Sequence, residues 1–133
     1  MATSKERKNQ LIAWADETIK KSRIYDKKNG EIISESYNGQ IAAFSVSVAL
    51  SGLKPTMAVY FSDKSSSEVD KSKVVELLAD MYNKDKKGNM PPEEFYNKII
   101  GLTPQEEPDA RRVIIEYAIA LKLAIRTFKF KKS

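Results

Sequence analysis

The residues of this chain that could carry chemistry are few in kind. Histidine and cysteine are absent from all 133 positions, which removes the commonest general base, the thiol nucleophile and both soft metal ligands. No disulfide or thiolate zinc site can form. Carboxylates, hydroxyls, lysines and tyrosines remain. Two adjacent acid pairs, Glu93-Glu94 and Glu106-Glu107, are the nearest approach to general acid–base machinery. Each pair falls at the predicted entrance of a helix next to prolines, where acids are favoured by the positive end of the helix dipole. The structural role outweighs the catalytic one. The chain has no phosphate loop, dinucleotide-type glycine pattern, metal-ligand spacing or nucleophile elbow. No catalytic residue, metal or cofactor is therefore expected, and an enzyme working by carboxylates alone is the remotest reading.

The bases are distributed more tellingly. The 23 lysines and arginines exceed the 18 acids by a net charge of +5. Residues 1–30 carry eight bases and four acids, and residues 122–133 carry five bases and no acid, which leaves 31–121 at minus four. If the two ends of the chain lie side by side, their basic faces merge into one patch on a neutral to acidic body, which suggests a polyanion partner. Lysine-rich termini that only keep the protein in solution are the plain alternative. Along the first predicted helix Asp16, Lys20, Arg23 and Lys27 are spaced by four, three and four. Three bases thus share a face, although Asp16 and Lys20 also make an ordinary i,i+4 pair. On the last predicted helix Arg111, Lys122, Arg126 and Lys129 point away from the apolar stripe, and Ile115 and Ala118 fall between Arg111 and Lys122. An apolar patch inside a basic face fits a surface that meets both a protein neighbour and a phosphate backbone.

These positions are to be held by an all-α fold, a single-domain bundle of about five to seven helices spanning 1–133, since a chain of this length can bury one sufficient core. Its organising stretch is 40–61, the longest without an acid and with one base, Lys54. On a helical wheel Ile41, Phe44 and Val48 share one face and Ala43, Val46 and Leu50 take the other side. A helix apolar all round is usually buried, and its many small residues let a neighbouring helix, in this chain or another copy, come close. Gly52 supplies a stop and Pro55 a start. Phe44, Val46, Val48 and Leu50 also alternate as a half-buried strand would, and periodicity alone leaves both readings open. Alanine content and length favour helix-turn-helix. Neither half reaches the ~20 apolar residues of a membrane span.

Around that centre the pattern predicts a first helix opened by the capping-box spacing Thr3-Ser4-Lys5-Glu6 and running to about Tyr25, with Leu11, Ile12, Ala15 and Ile19 on its apolar face. A connector over 31–36 is pinned by Ile32-Ile33, and Asp63–Glu68 is the most loop-like segment. A helix capped by Asp70 or Ser72 buries Val74, Val75, Leu77, Leu78 and Met81. A short one starts at Pro91-Pro92, packs by Phe95, Ile99 and Ile100, and is closed by Gly101. The last runs to about Phe128 on a stripe of Val113, Ile114, Tyr117, Ala120, Leu121, Ala124 and Phe128. The basic N-terminus lacks the apolar run of a signal peptide, so a cytoplasmic location is expected.

Three stretches carry a resemblance. They are Tyr37-Asn38-Gly39-Gln40-Ile41-Ala42-Ala43-Phe44, then Ser51-Gly52-Leu53-Lys54-Pro55-Thr56-Met57-Ala58-Val59-Tyr60, and Ala120-Leu121-Lys122-Leu123-Ala124-Ile125-Arg126-Thr127-Phe128. In these, and in the order of its elements over the whole length, the chain resembles the small helical subunit of the type III-B, or Cmr, CRISPR effector complex. Ser45 departs from that family's pattern, which has glycine after the phenylalanine, a small-for-small change. The resemblance implies a non-catalytic subunit in antiviral defence that stacks in several copies beside the other Cmr effector subunits and contacts the backbone of guide RNA and target RNA, with no membrane role. The RNA-facing residues expected from wheel geometry are Lys20, Arg23 and Lys27 on the first helix and Lys122, Arg126 and Lys129 on the last, followed by Lys21, Lys54, Arg111 and Arg112. Such contacts would leave sequence recognition to base pairing. A stand-alone helical adaptor for an acidic protein is the alternative.

The missing catalytic residues generate a direct expectation. Purified protein leaves RNA and nucleoside triphosphates intact, with or without divalent metal; turnover that disappears on substitution of Glu93, Glu94, Glu106 or Glu107 would reverse that reading.

Overall fold

The computed structural model describes residues 4–22, 24–26, 32–62 and 71–131, and the side chains of all of these but 26, 32, 129 and 131. Thr3, the Asp63–Glu68 loop and the Asp70 cap therefore lie outside the described residues. Among the described residues six helices pack as one all-α domain: α1 (Ser4–Lys21), α2 (Glu35–Ser51), α3 (Leu53–Ser62), α4 (Ser72–Lys86), α5 (Pro92–Ile100) and α6 (Glu107–Ile125). Three very short strands, β1 (Tyr25–Asp26), β2 (Ile32–Ser34) and β3 (Lys129–Lys131), add a small ribbon. In it β2 lies between an antiparallel β1 and a parallel β3. No helix among the described residues is long and apolar enough to cross a membrane.

Helix α6 is the central post. It packs against α1, α2 and α4 and buries Ile114, Tyr117, Ala118, Leu121, Ala124 and Ile125. The apolar centre forms the helix-turn-helix rather than a hairpin. Gly52, at φ 97°, ends α2 with its N–H on the Val48 carbonyl at 2.9 Å. That left-handed angle is open to glycine at little cost. Helix α3 folds back onto α2 through three contacts: the Ser47 and Thr56 hydroxyls at 2.8 Å, the Tyr60 hydroxyl donating to the Gln40 carbonyl at 3.1 Å, and the Phe44 and Tyr60 rings edge to face at 5.2 Å. Yet α2 is buried on one side only. Ile41, Phe44 and Val48 are in the core, whereas Val46 and Leu50 are exposed.

Both outer boundaries fall short of the apolar pattern. Helix α1 stops at Lys21 and α6 at Ile125, three or four residues before Tyr25 and Phe128. The cause is the same at each end. The Ser22 hydroxyl donates to the Ile19 carbonyl at 2.7 Å and the Thr127 hydroxyl to the Ala124 carbonyl at 2.8 Å, and each residue's own N–H bonds that same carbonyl at 3.1 Å, so the last turn tightens to bonds three residues apart and closes the helix. The freed residues then build the ribbon, where Tyr25 meets Phe128 edge-on at 5.4 Å. In the predicted connector Ile33 is wholly buried and pairs with both Tyr25 and Phe130.

The remaining helices follow local chemistry. Pro91 and Pro92 start α5 with Glu93 and Glu94 in its first turn. A reciprocal capping box forms at Thr103 and Glu106: the Thr103 N–H donates to the Glu106 carboxylate at 2.9 Å, and the Glu106 N–H to the Thr103 hydroxyl at 3.2 Å. Those bonds hold the Glu106 carboxyl below its ordinary pKa. One of the two candidate acid pairs is thereby committed in part to starting a helix.

Phe44 is fully buried between α2 and α3. Phe44→Ala is expected to lower unfolding stability by about 3–5 kcal/mol, read from urea denaturation followed by circular dichroism.

Candidate nucleic-acid interface

Helices α1 and α6 run side by side in the same direction. Between the start of α1 and the middle of α6, the Arg7 guanidinium donates from Nη2 and Nε to the two Glu116 carboxylate oxygens at 3.3 and 3.4 Å. Further along, Lys8, Leu11 and Ile12 line a groove of about 240 Å³ with Ile119, Ala120 and Leu123. Beyond their far ends the stretches after α1 and α6 enter the ribbon as β1 and β3. Lys20 and Lys21 thus reach the same end of the bundle as Arg126.

The outward face of α6 is mixed in character. Ile119 and Leu123 stand 47% and 44% exposed, with Arg112 about two turns before Ile119 and Arg126 just after Leu123, both exposed. Ile115 and Lys122 flank the line, half-buried. Ala118, placed on this face by the sequence pattern, is instead buried; the helix is rotated so that Ile119 takes the outer position. Beyond Glu116 every charge on the chain is positive.

The candidate bases do not all have free charges. Lys20 is held by Asp16 at 2.9 Å, a hydrogen bond that raises its pKa. Lys54 donates to the Leu102 carbonyl at 2.6 Å, so it ties α3 to the turn after α5 rather than offering an open cation. Arg112 approaches Asp109 at 3.9 Å. Arg111 and Arg112 share a shallow depression with Glu107 and Glu116, whose acids offset part of their charge. Lys21 and Arg126 are exposed, and among the described residues no acid pairs with Lys21, Arg111, Lys122 or Arg126. Arg23 and Lys27 lie outside the described residues. Lys129 sits in β3 by its backbone, its side chain being among those not described.

One charged cluster has no counterpart in the sequence reading. Arg7 makes a two-pronged bond to Asp85, Nη1 to Oδ1 at 3.1 Å and Nη2 to Oδ2 at 3.0 Å, while the Tyr117 hydroxyl donates to the same Oδ2 at 2.6 Å. It joins the start of α1, the end of α4 and the middle of α6. Partners 78 and 109 residues apart leave no periodic trace, so no local pattern could have found it. Burial pushes the Asp85 carboxyl up, but the bonds from Arg7 and Tyr117 more than offset that and hold it below its ordinary value. Burial and Asp85 together raise the Tyr117 phenol, keeping it a donor. Among the described residues no three acidic side chains gather so as to hold a metal ion.

No known family model, curated protein or solved structure matches this chain.

Because folding lowers the Asp85 pKa, its contribution to stability is present in full above the unfolded-chain value and is lost as pH falls through the lower folded value. Asp85→Asn should cost about 2 kcal/mol at neutral pH, less than the ~3–5 kcal/mol of a fully buried pair, because the Arg7 side chain keeps a third of its exposure. The difference between variant and parent should shrink below about pH 4, as measured by denaturant melts at stepped pH.

Proposed function

We propose that this protein is a non-catalytic small subunit of an RNA-guided type III-B (Cmr) effector complex in the cytoplasm. It stacks in several copies beside the other effector subunits and contacts the phosphate backbone of guide and target RNA without reading sequence. The sequence motifs at 37–44, 51–60 and 120–128 support the family. The observation that carries the RNA role is the outward stripe of α6, where exposed Ile119 and Leu123 lie among Arg112, Lys122 and Arg126 with no acid after Glu116.

The chemistry of that stripe suits backbone contact. Arginine and lysine offer donors to phosphate oxygens, and such contacts position a protein without carrying sequence information. The apolar residues between them suit a protein neighbour. Lys21, arriving at the same end on α1, extends the cationic surface, whereas Lys54 and Lys20 are already engaged and contribute less.

Binding of the full chain to two single-stranded RNAs of unrelated sequence, measured over a range of salt, tests this. Affinity should fall with salt at a log–log slope of about −0.7 per phosphate contacted, equally for both sequences. Changing Arg112, Lys122 and Arg126 together to Gln should flatten the slope by about two units while leaving the circular dichroism spectrum unchanged. An unaltered slope would favour the adaptor for an acidic protein, in which the basic ends serve only solubility.

A further inference from the structure

Helix α2 leaves one side bare. Tyr37, Ile41, Phe44 and Val48 face the core, and α3 covers one flank through the bonds of Ser47 and Gln40. The opposite side presents Gly39, Ala43, Val46 and Leu50, all exposed, Val46 at 58% and Leu50 at 83%. Val59, three residues after Thr56 and 55% exposed, rises from the α2 side of α3. From Ser36 to Ser51 there is no charged residue, and the one base of α3, Lys54, is tied to Leu102. A contiguous uncharged apolar face of this kind marks a contact site.

The order of sizes along this line says what covers it. Gly39, Ala43, Val46 and Leu50 are separated by four, three and four residues, a spacing that reads the same from either end, with small residues in one half and large ones in the other. A second α2 laid antiparallel across a two-fold axis through the midpoint sets the partner's Leu50 over Gly39 and the partner's Val46 over Ala43, and symmetry supplies the reverse pair. Large side chains then enter the spaces left by small ones, as close helix packing requires. Parallel pairing in register would oppose the two leucines and leave a gap between the glycines. Nothing of its own chain lies within 4 Å of where a Gly39 Cβ would stand, so no packing inside the monomer demands glycine there. A charged partner surface would lose water here with no opposing charge to compensate; the same face of a second copy brings no such cost.

We infer that α2, flanked by Val59, is a two-fold homodimer interface in which Gly39 and Ala43 of each copy receive Leu50 and Val46 of the other. The 17 residues of α2 make a helix about 25 Å long, so with its α3 flank the contact covers on the order of 600 Å² per copy, the lower edge of stable interfaces. A contact of this size leaves the dimer in reversible exchange with its monomers. A two-fold contact closes on itself. It therefore joins copies in pairs, is separate from any head-to-tail stacking, and does not depend on the RNA reading.

Sedimentation equilibrium of the full chain from about 5 to 500 μM should show a reversible monomer–dimer equilibrium. Val46→Glu should weaken it at least tenfold, with the circular dichroism spectrum unchanged. Gly39→Leu should do the same, because the new side chain has room in the monomer and none in the dimer. As the chain has no cysteine, Gly39→Cys and Leu50→Cys proteins mixed under oxidation should cross-link to each other, and Gly39→Cys alone should not. A monomer at every concentration, a dimer indifferent to Gly39→Leu, or ready cross-linking of Gly39→Cys to itself would each overturn the inference. So would a parent protein that stays monomeric and retains a different protein through Val46, which would assign the face to that partner.

Discussion

A helix packed on three sides keeps one stripe for the rest of the world, and α6 is that helix. With α1, α2 and α4 against it, its buried residues are fixed by the core, and the line through Arg112, Ile119, Leu123 and Arg126 is left to vary in chemistry. The rotation of α6 is therefore the constraint on which the candidate surface depends. Burying Ala118 rather than exposing it turns Ile119 outward and changes which bases stand beside an apolar residue. The Arg7, Asp85 and Tyr117 cluster helps to hold that rotation, because a two-pronged guanidinium contact tolerates little displacement and Tyr117 can reach Asp85 only from one face of α6.

The two halves of the molecule use small side chains for different ends. At the close of α1 and α6, Ser22 and Thr127 bond back to carbonyls and stop parallel helices at the same level, which brings β1, β2 and β3 within pairing distance. In α2 the small residues lie on the outer side, where they do not fill the core. A helix that is apolar on both faces but packed on one is thermodynamically incomplete as a monomer surface. Its composition is better explained by what it meets than by what it supports.

The fold was legible wherever the apolar period and the caps agreed. Val74, Val75, Leu77, Leu78 and Met81 are all buried as their spacing requires, and Pro92 opens α5. Legibility failed where short polar side chains overrode the period, so that α1 and α6 end early although Tyr25 and Phe128 continue the apolar stripe. The capping box expected at Thr3 lies outside the described residues, while the one found at Thr103 was visible as an acidic, proline-bearing entrance. Lys54 shows the limit for sites. A lysine in an uncharged stretch reads as an available cation, and only the folded chain reveals that the Leu102 carbonyl already occupies it. Composition gives the number of bases, but tertiary contacts decide how many remain free.

On the proposed reading, the apolar and basic residues of α6 act on one another. Ile119 and Leu123 gain nothing from a phosphate and would be covered by a protein neighbour. Covering them removes water from beside Lys122 and Arg126, and a charge contact at the margin of a drier surface is stronger than the same contact in open solvent. A lone copy would then hold RNA weakly, since its cations meet phosphate in open solvent. A copy with its neighbour in place would hold it better with the same residues, and linkage requires the RNA in turn to favour the neighbour. Intermixing the two residue classes on one stripe, instead of segregating them on two faces, is the arrangement in which assembly and backbone binding reinforce each other.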